Sequence, residues 1–188
     1  MLRLFFALQP TPAQSEDLRA SAAGWVTATQ GQPAPTTNFH ATLCFLGAVA
    51  PERLDALRES VADLRARSIA LDFDRLEYWP EPRVLCATAD STTNADALSR
   101  ELHARTLAAH FAPDAKPFRP HVTVARKLNV GAATAVEWPQ TFAPPMALRC
   151  DRFVLMESRR GESGSLYSAL DSWPLDAIEP LPLRPSEA

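Results

Sequence analysis

The sequence predicts an α+β chain built as two similar halves on a shared core. Three observations point there. Apolar, β-prone runs alternate with segments whose apolar residues recur at helical spacing. Two strand-like runs, 69–79 and 83–89, are joined by Pro80-Glu81-Pro82 as a hairpin. One short pattern also occurs twice, as His40-Ala41-Thr42-Leu43 and His121-Val122-Thr123-Val124, each inside a strand-like run. At 188 residues and 46% hydrophobic content, the length fits one domain or two small lobes sharing a core.

In chain order, residues 3–8 read as a buried first strand. Residues 12–29 read as a helix, with Thr11 as N-cap, Pro12 in the first turn, and Leu18, Ala22 and Trp25 at helical spacing. A Pro-, Gly- and Thr-rich loop follows over 31–37, then a strand over 38–46 closed by Gly47. Residues 51–66 form a second helix on the stripe Leu54, Leu57, Val61, Leu64. The strand over 69–79 alternates less cleanly than its partner at 83–89. A third helix spans 91–111, capped within Ser91-Thr92-Thr93-Asn94, with Leu98, Leu102 and Ala109 facing inward. A Pro-containing loop over 113–120 leads into the second motif strand, 121–127. Residues 136–145, with Pro139, Pro144 and Pro145, read as irregular. A strand over 147–158, a turn over 159–165 and a strand over 166–173 complete the pattern. The tail beyond Leu175 carries Pro180, Pro182 and Pro185 and is expected to hug the surface or fray.

A net charge of −3 argues against a long duplex-binding surface, which needs a broad basic footprint. It leaves room for a small phosphate-bearing ligand held by a few cations. The three isolated cysteines, Cys44, Cys86 and Cys150, read as buried thiols in a reducing compartment. The apolar start, residues 1–8, is too short to span a membrane and runs into Pro10 and a polar helix. A cytoplasmic protein with no membrane attachment is expected.

Residues i and i+2 of a strand share a face, so His40 pairs with Thr42, and His121 with Thr123. The chance that two of only four histidines fall into this pattern is on the order of one in a thousand. Imidazole titrates near neutrality, so two histidines on opposite sides of a phosphate suit general acid–base chemistry. In-line displacement at phosphorus demands that opposed placement. Hydroxyls of Thr42 and Thr123 would donate to the non-bridging oxygens. Arg126 is a candidate phosphate contact, but strict alternation puts it on the face of Val122 and Val124. It reaches the site only if the strand ends or bulges after Val124. Arg119 and Lys127 read as a solvated rim. Trp25, Phe39 and Phe118 are conceivable base-stacking residues, with core packing the better reading. His103 and His110 share a face of the third helix, but no acid-rich set accompanies them. They read as solvated or satisfied helix residues, and no metal or other cofactor is expected.

With both motifs in hand, the chain resembles the 2H phosphoesterase superfamily and, within it, the bacterial RNA 2′,3′-cyclic phosphodiesterases, also called 2′-5′ RNA ligases. The resemblance runs through Arg3-Leu4-Phe5-Phe6-Ala7-Leu8, through 38–47 and 118–126, and through Leu155-Met156-Glu157-Ser158 with Gly164 and Tyr167. It implies a bilobal α+β fold, two pseudo-symmetric lobes with antiparallel sheets flanked by helices around a central cleft. Residues 1–175 would form one such domain with a motif in each lobe, and 176–188 a Pro-rich tail. It implies metal-independent hydrolysis of RNA 2′,3′-cyclic phosphates to 2′-phosphates. His40 would then be the proton donor to the leaving 3′-oxygen and His121 the proton acceptor that activates water. Thr42, Thr123 and Arg126 would bind the phosphate. The expected partner is an RNA end or short oligonucleotide with a 2′,3′-cyclic phosphate, met by a monomer. Two alternatives stay open. One is 2′-5′ joining of RNA ends, or hydrolysis of a small cyclic nucleotide. The other is a non-catalytic nucleotide-binding module, against which the intact pair of proton-transfer groups argues.

Overall fold

The computed structural model describes residues 1–161 and 164–177. Nine strands form two antiparallel sheets in these residues. The four-stranded sheet has the order β3-β1-β8-β9, from β3 (Ala41–Val49), β1 (Leu2–Leu8), β8 (Arg152–Gly161) and β9 (Gly164–Pro174). The five-stranded sheet has the order β2-β6-β5-β4-β7, from β2 (Gln32–Pro33), β6 (His121–Arg126), β5 (Val84–Ala89), β4 (Ile69–Trp79) and β7 (Gln140–Cys150). Helix α1 (Pro12–Ala28) leaves the first sheet and packs on β6 and β7 of the second, whereas α2 (Leu54–Val61) and α3 (Thr93–Ala108) pack together, with α3 against β3. The motif strands β3 and β6 thus belong to different sheets and meet between them.

Local signals account for most of these elements. Thr11 caps α1 through a reciprocal box: its hydroxyl accepts from the Gln14 amide at 3.2 Å, and the Gln14 side chain accepts from the Thr11 amide at 2.8 Å. Thr92 caps α3 by accepting from the Ala95 amide. β1 is buried on both faces. Leu4, Phe6 and Leu8 enter the main core, while Phe5 and Ala7 join Val154 and Met156 in a smaller cluster on the opposite face. The uneven alternation of β4 has a cause in its register. A bulge at Asp74 separates buried Ile69, Leu71 and Phe73 from buried Leu76, and so turns Glu77 and Trp79 to the other face.

Five readings are corrected. Residues 136–145 are not simply irregular, because β7 begins at Gln140. It tolerates Pro144 and Pro145 because it is an edge strand, and residues 142–145 lie in a bulge between the pairs Phe73↔Met146 and Arg75↔Thr141. The single strand expected over 147–158 is two strands that meet at Asp151, where the chain passes from one sheet to the other. Gly47 does not end its strand: it sits inside β3 at φ +69, beside a bulge at Leu46, in a conformation that favours glycine. The second helix stops at Val61 after a short 3-10 turn, and the third at Ala108, so His110 lies beyond it. Short α4 (Val130–Thr134), capped by Asn129 onto the Ala132 amide, had no periodic stripe to announce it.

Leu175 is buried, and Asp176 is held by backbone bonds to Ala66 and Ser68. The expectation for the tail falls mostly on residues 178–188, outside the described residues. All three cysteines are buried free thiols, each pushed up to about 12 by burial. No helix among the described residues is long and apolar enough to cross a membrane.

Phe6 is fully buried, with Phe153 and Trp173 edge-on at 6.0 and 5.8 Å between ring centroids. Phe6→Ala is expected to lower unfolding free energy by about 3–5 kcal/mol in urea titration, the scale of a lost core aromatic.

Candidate active site

His40 immediately precedes β3, and His121 is the first residue of β6. Ala41 and Leu43 are buried behind one strand, and Val122 and Val124 behind the other. That burial turns His40, Thr42, His121 and Thr123 to a single cavity of about 250 Å³.

Both motif strands then do the same thing. The β1–β3 register passes from Phe6↔Cys44 to Ala7↔Thr42 and leaves Leu43 with no residue opposite. The β5–β6 register passes from Leu85↔Ala125 to Cys86↔Thr123 and leaves Val124 with none. The bulge falls on the fourth motif residue each time, and an inserted residue resets strand alternation. Leu43 and Cys44 are therefore both buried, as are Val124 and Ala125. The third residue after each threonine returns to the cavity: Phe45 in one strand, Arg126 in the other. Arg126 thus joins the histidines by the bulge that strict alternation leaves out.

Each imidazole is pinned the same way. Nδ1–H of His40 donates to the Asn38 carbonyl at 2.6 Å, and Nδ1–H of His121 to the Arg119 carbonyl at 2.8 Å. In a neutral ring, that leaves Nε2 as the nitrogen that takes or gives a proton. An aromatic ring covers each histidine, Tyr167 lying 4.8 Å from His40 and Trp79 4.7 Å from His121 between centroids. Phe5 also packs on His40 at 4.8 Å.

Burial pushes His40 down from its usual 6.5 to about 4; the Asn38 carbonyl opposes this, and the positive charges of His121 and Arg126 add to it. His121 is also lowered, chiefly by burial and further by Arg119 and Arg126, against the Arg119 carbonyl and the Glu77 carboxylate. The free cleft therefore favours neutral rings beside fixed cations. Arg126 and Arg3, the latter 4.8 Å above the Phe45 ring, give the cavity a positively charged lining.

The structure gathers all five predicted residues in one cavity and adds Arg3, Phe5, Phe45, Trp79, Ser158 and Tyr167. Sequence reasoning missed these six, although the spacing from Thr123 to Arg126, repeated from Thr42, points to Phe45. Of the three aromatics considered for stacking, Phe39 is core, Trp25 packs on Trp138, and Phe118 lines a neighbouring cavity of about 490 Å³. Arg119 is more than a solvated rim, since it pairs with Glu77 and lies 4.8 Å above the Trp79 ring. His103 lies on α3 with Nδ1 2.7 Å from the Ser99 carbonyl oxygen and Nε2 2.9 Å from that of Asp114, so its ring sits against the backbone. No cluster of three His, Cys, Asp or Glu suited to a metal ion occurs among the described residues.

The model of the 2′-5′ RNA ligase superfamily matches residues 10–162. The chain belongs to that superfamily. It is 27% identical over 177 residues to the RNA 2′,3′-cyclic phosphodiesterase of Escherichia coli (strain K12), covering 92% of this chain and 96% of that one. It is 33% identical over 95 residues to the enzyme of the same name from Geobacillus stearothermophilus, a match spanning 48% of this chain and only 30% of that relative. Crystal structures of E. coli LigT share the fold: the apo form at TM-score 0.79 and 24% identity, over 93% of this chain and 98% of that one, and a complex with 3′-AMP at TM-score 0.76 and 24% identity over the same shares. The bilobal α+β architecture implied by the family resemblance is the one observed, with two antiparallel sheets flanking the cleft.

Imidazole NMR of the free protein is expected to show His40 titrating near pH 4, well below the usual 6.5. Arg126→Ala removes a cation that disfavours the imidazolium, so both histidines should titrate higher in that variant. Unmoved titrations would mean that Arg126 does not face the rings.

Proposed function

We propose that this superfamily member hydrolyses RNA 2′,3′-cyclic phosphate ends to 2′-phosphates by two-histidine acid–base catalysis, without a metal. The observation that supports the reading is the shared cavity, lined by two histidines from different sheets whose Nδ1 atoms are already engaged, by Thr42 and Thr123, and by Arg126. The names of the relatives supply the substrate class.

In this reaction the cyclic phosphate lies between the two rings. His121 Nε2 takes a proton from water as the water oxygen forms its bond to phosphorus. The bond from phosphorus to the 3′-oxygen breaks in line, and His40 Nε2–H gives that oxygen its proton. The 2′-oxygen keeps the phosphate. Hydroxyls of Thr42 and Thr123 and the Arg126 guanidinium stabilise the charge on the non-bridging oxygens. His40 must carry a proton for its part, although burial holds it near 4 in the free protein. The bound phosphate anion supplies the opposite charge that raises it. Residues 1–175 act here as one bilobal unit with one motif in each lobe.

The deciding experiment is hydrolysis of a short RNA with a 2′,3′-cyclic phosphate end, in EDTA, with the product phosphate located by phosphorus NMR. A 2′-phosphate from the wild type is expected, with His40→Ala and His121→Ala each at least ~100-fold slower, the usual contribution of one general acid or base. No product, or near-normal turnover in either variant, would overturn the reading. Activity lost in EDTA and restored by a divalent ion would overturn its metal-independent part.

The pH dependence follows from the lowered histidines. The base must be neutral and the acid protonated, so kcat/KM should fall on both sides of a maximum below pH 6.5. The profile of kcat, which reports the bound state, should lie at higher pH, because the phosphate anion raises both rings. Coincident profiles in rate measurements would contradict this.

A further inference from the structure

Two positions before each histidine stands a residue that touches that histidine twice over, once through the backbone and once through an aromatic ring that it holds. Asn38 gives its carbonyl to His40 Nδ1–H. Its side-chain amide spans the backbone of β9, with Nδ2–H donating to the Ser165 carbonyl at 2.8 Å and Oδ1 accepting from the Tyr167 amide at 3.2 Å. That strand lays the Tyr167 ring on His40.

Arg119 repeats the arrangement with different chemistry. Its carbonyl takes His121 Nδ1–H. Its guanidinium donates to Glu77 Oε2 and lies over the Trp79 ring. Glu77 in turn accepts from Trp79 Nε1–H and from the Thr88 hydroxyl, both at 3.0 Å. Burial works to raise the Glu77 carboxyl, but these hydrogen bonds and the Arg119 charge hold it below its usual value. The Trp79 ring so fixed packs on His121. The residue between hub and histidine is buried in both copies, Phe39 in one and Pro120 in the other, which anchors the turn into the strand.

We propose that Asn38 and Arg119 are positioning residues that hold, one in each lobe, both the tautomer of the reacting histidine and the aromatic wall that covers it. The geometry stands on its own, while the effect on turnover rests on the phosphodiesterase reading above. A neutral imidazole with its proton on Nδ1 has one choice of reacting nitrogen. A ring backed by an aromatic face has little freedom to swing Nε2 away from the phosphate. The groups around His40 are Arg126, His121, Phe5 and Tyr167; those around His121 are Glu77, Arg119, Arg126 and Trp79. Neither Asn38 nor Arg119 lines the reacting cavity, although Arg119 lines the adjoining one, which shares Thr42, Phe45, Trp79 and His121 with it.

The test compares the wild type, Asn38→Ala, Arg119→Ala and Arg119→Lys in the full chain, by nitrogen NMR of the free protein and by turnover of a cyclic-phosphate RNA end. Each alanine variant keeps the backbone carbonyl but loses the side-chain anchor that places it, so the share of Nε2–H tautomer should rise at its own histidine and stay unchanged at the other. Each should lower kcat about 10-fold or more, the scale of a slightly misplaced catalytic group, with KM within about threefold. Arg119→Lys, which keeps a donor for Glu77, should recover most of the loss. Unchanged tautomers, or kcat lost only in proportion to the folded fraction measured by circular dichroism, would overturn the proposal. If the wild type itself hydrolyses no cyclic phosphate, the functional reading fails, while the tautomer measurement still decides the positioning role.

Discussion

Burial of one face of each motif strand holds the site together. Ala41 and Leu43 on one strand, and Val122 and Val124 on the other, are sealed in the core. A slip of one residue in either register would put a histidine into that core and an apolar side chain into the cleft, and would leave buried polar groups without partners. The cleft chemistry is therefore specified by apolar packing behind it. Both sheets are needed, because each histidine comes from a different one.

The bulge on the fourth motif residue of each strand is the second constraint. By pushing two successive apolar residues into the core, it returns the next side chain to the cleft. The two copies then diverge. Arg126 brings a cation to the rings in one lobe, and Phe45 brings an aromatic face in the other, with Arg3 stacked above it. A duplicated backbone device with different side chains yields an asymmetric site.

Burial and cations act on the rings in the same direction. A desolvated imidazole beside arginine resists protonation, and a phosphate anion offsets that resistance. Tyr167 and Trp79 pack against the two rings and add to their burial.

The sequence by itself determined the periodic elements, the two histidine–threonine pairs and the face each would take. Those depend on local spacing: the cap at Thr11, the strand pattern around His40 and His121, the hairpin through Pro80-Glu81-Pro82. Strand β7, with its prolines, was not legible, since tolerance of Pro144 and Pro145 depends on its place at a sheet edge. Nor was the orientation of Arg126 settled, because the apolar pair Val124-Ala125 admits a bulge but only the opposing strand decides that it forms. Glu77 and Trp79 lie far in the chain from His121, and Tyr167 far from Asn38 and His40, and only the tertiary structure decided that they meet around the histidines. Side-chain alternation is a local property of the backbone, whereas sheet order, bulges and partners across a cleft depend on contacts between segments distant in sequence.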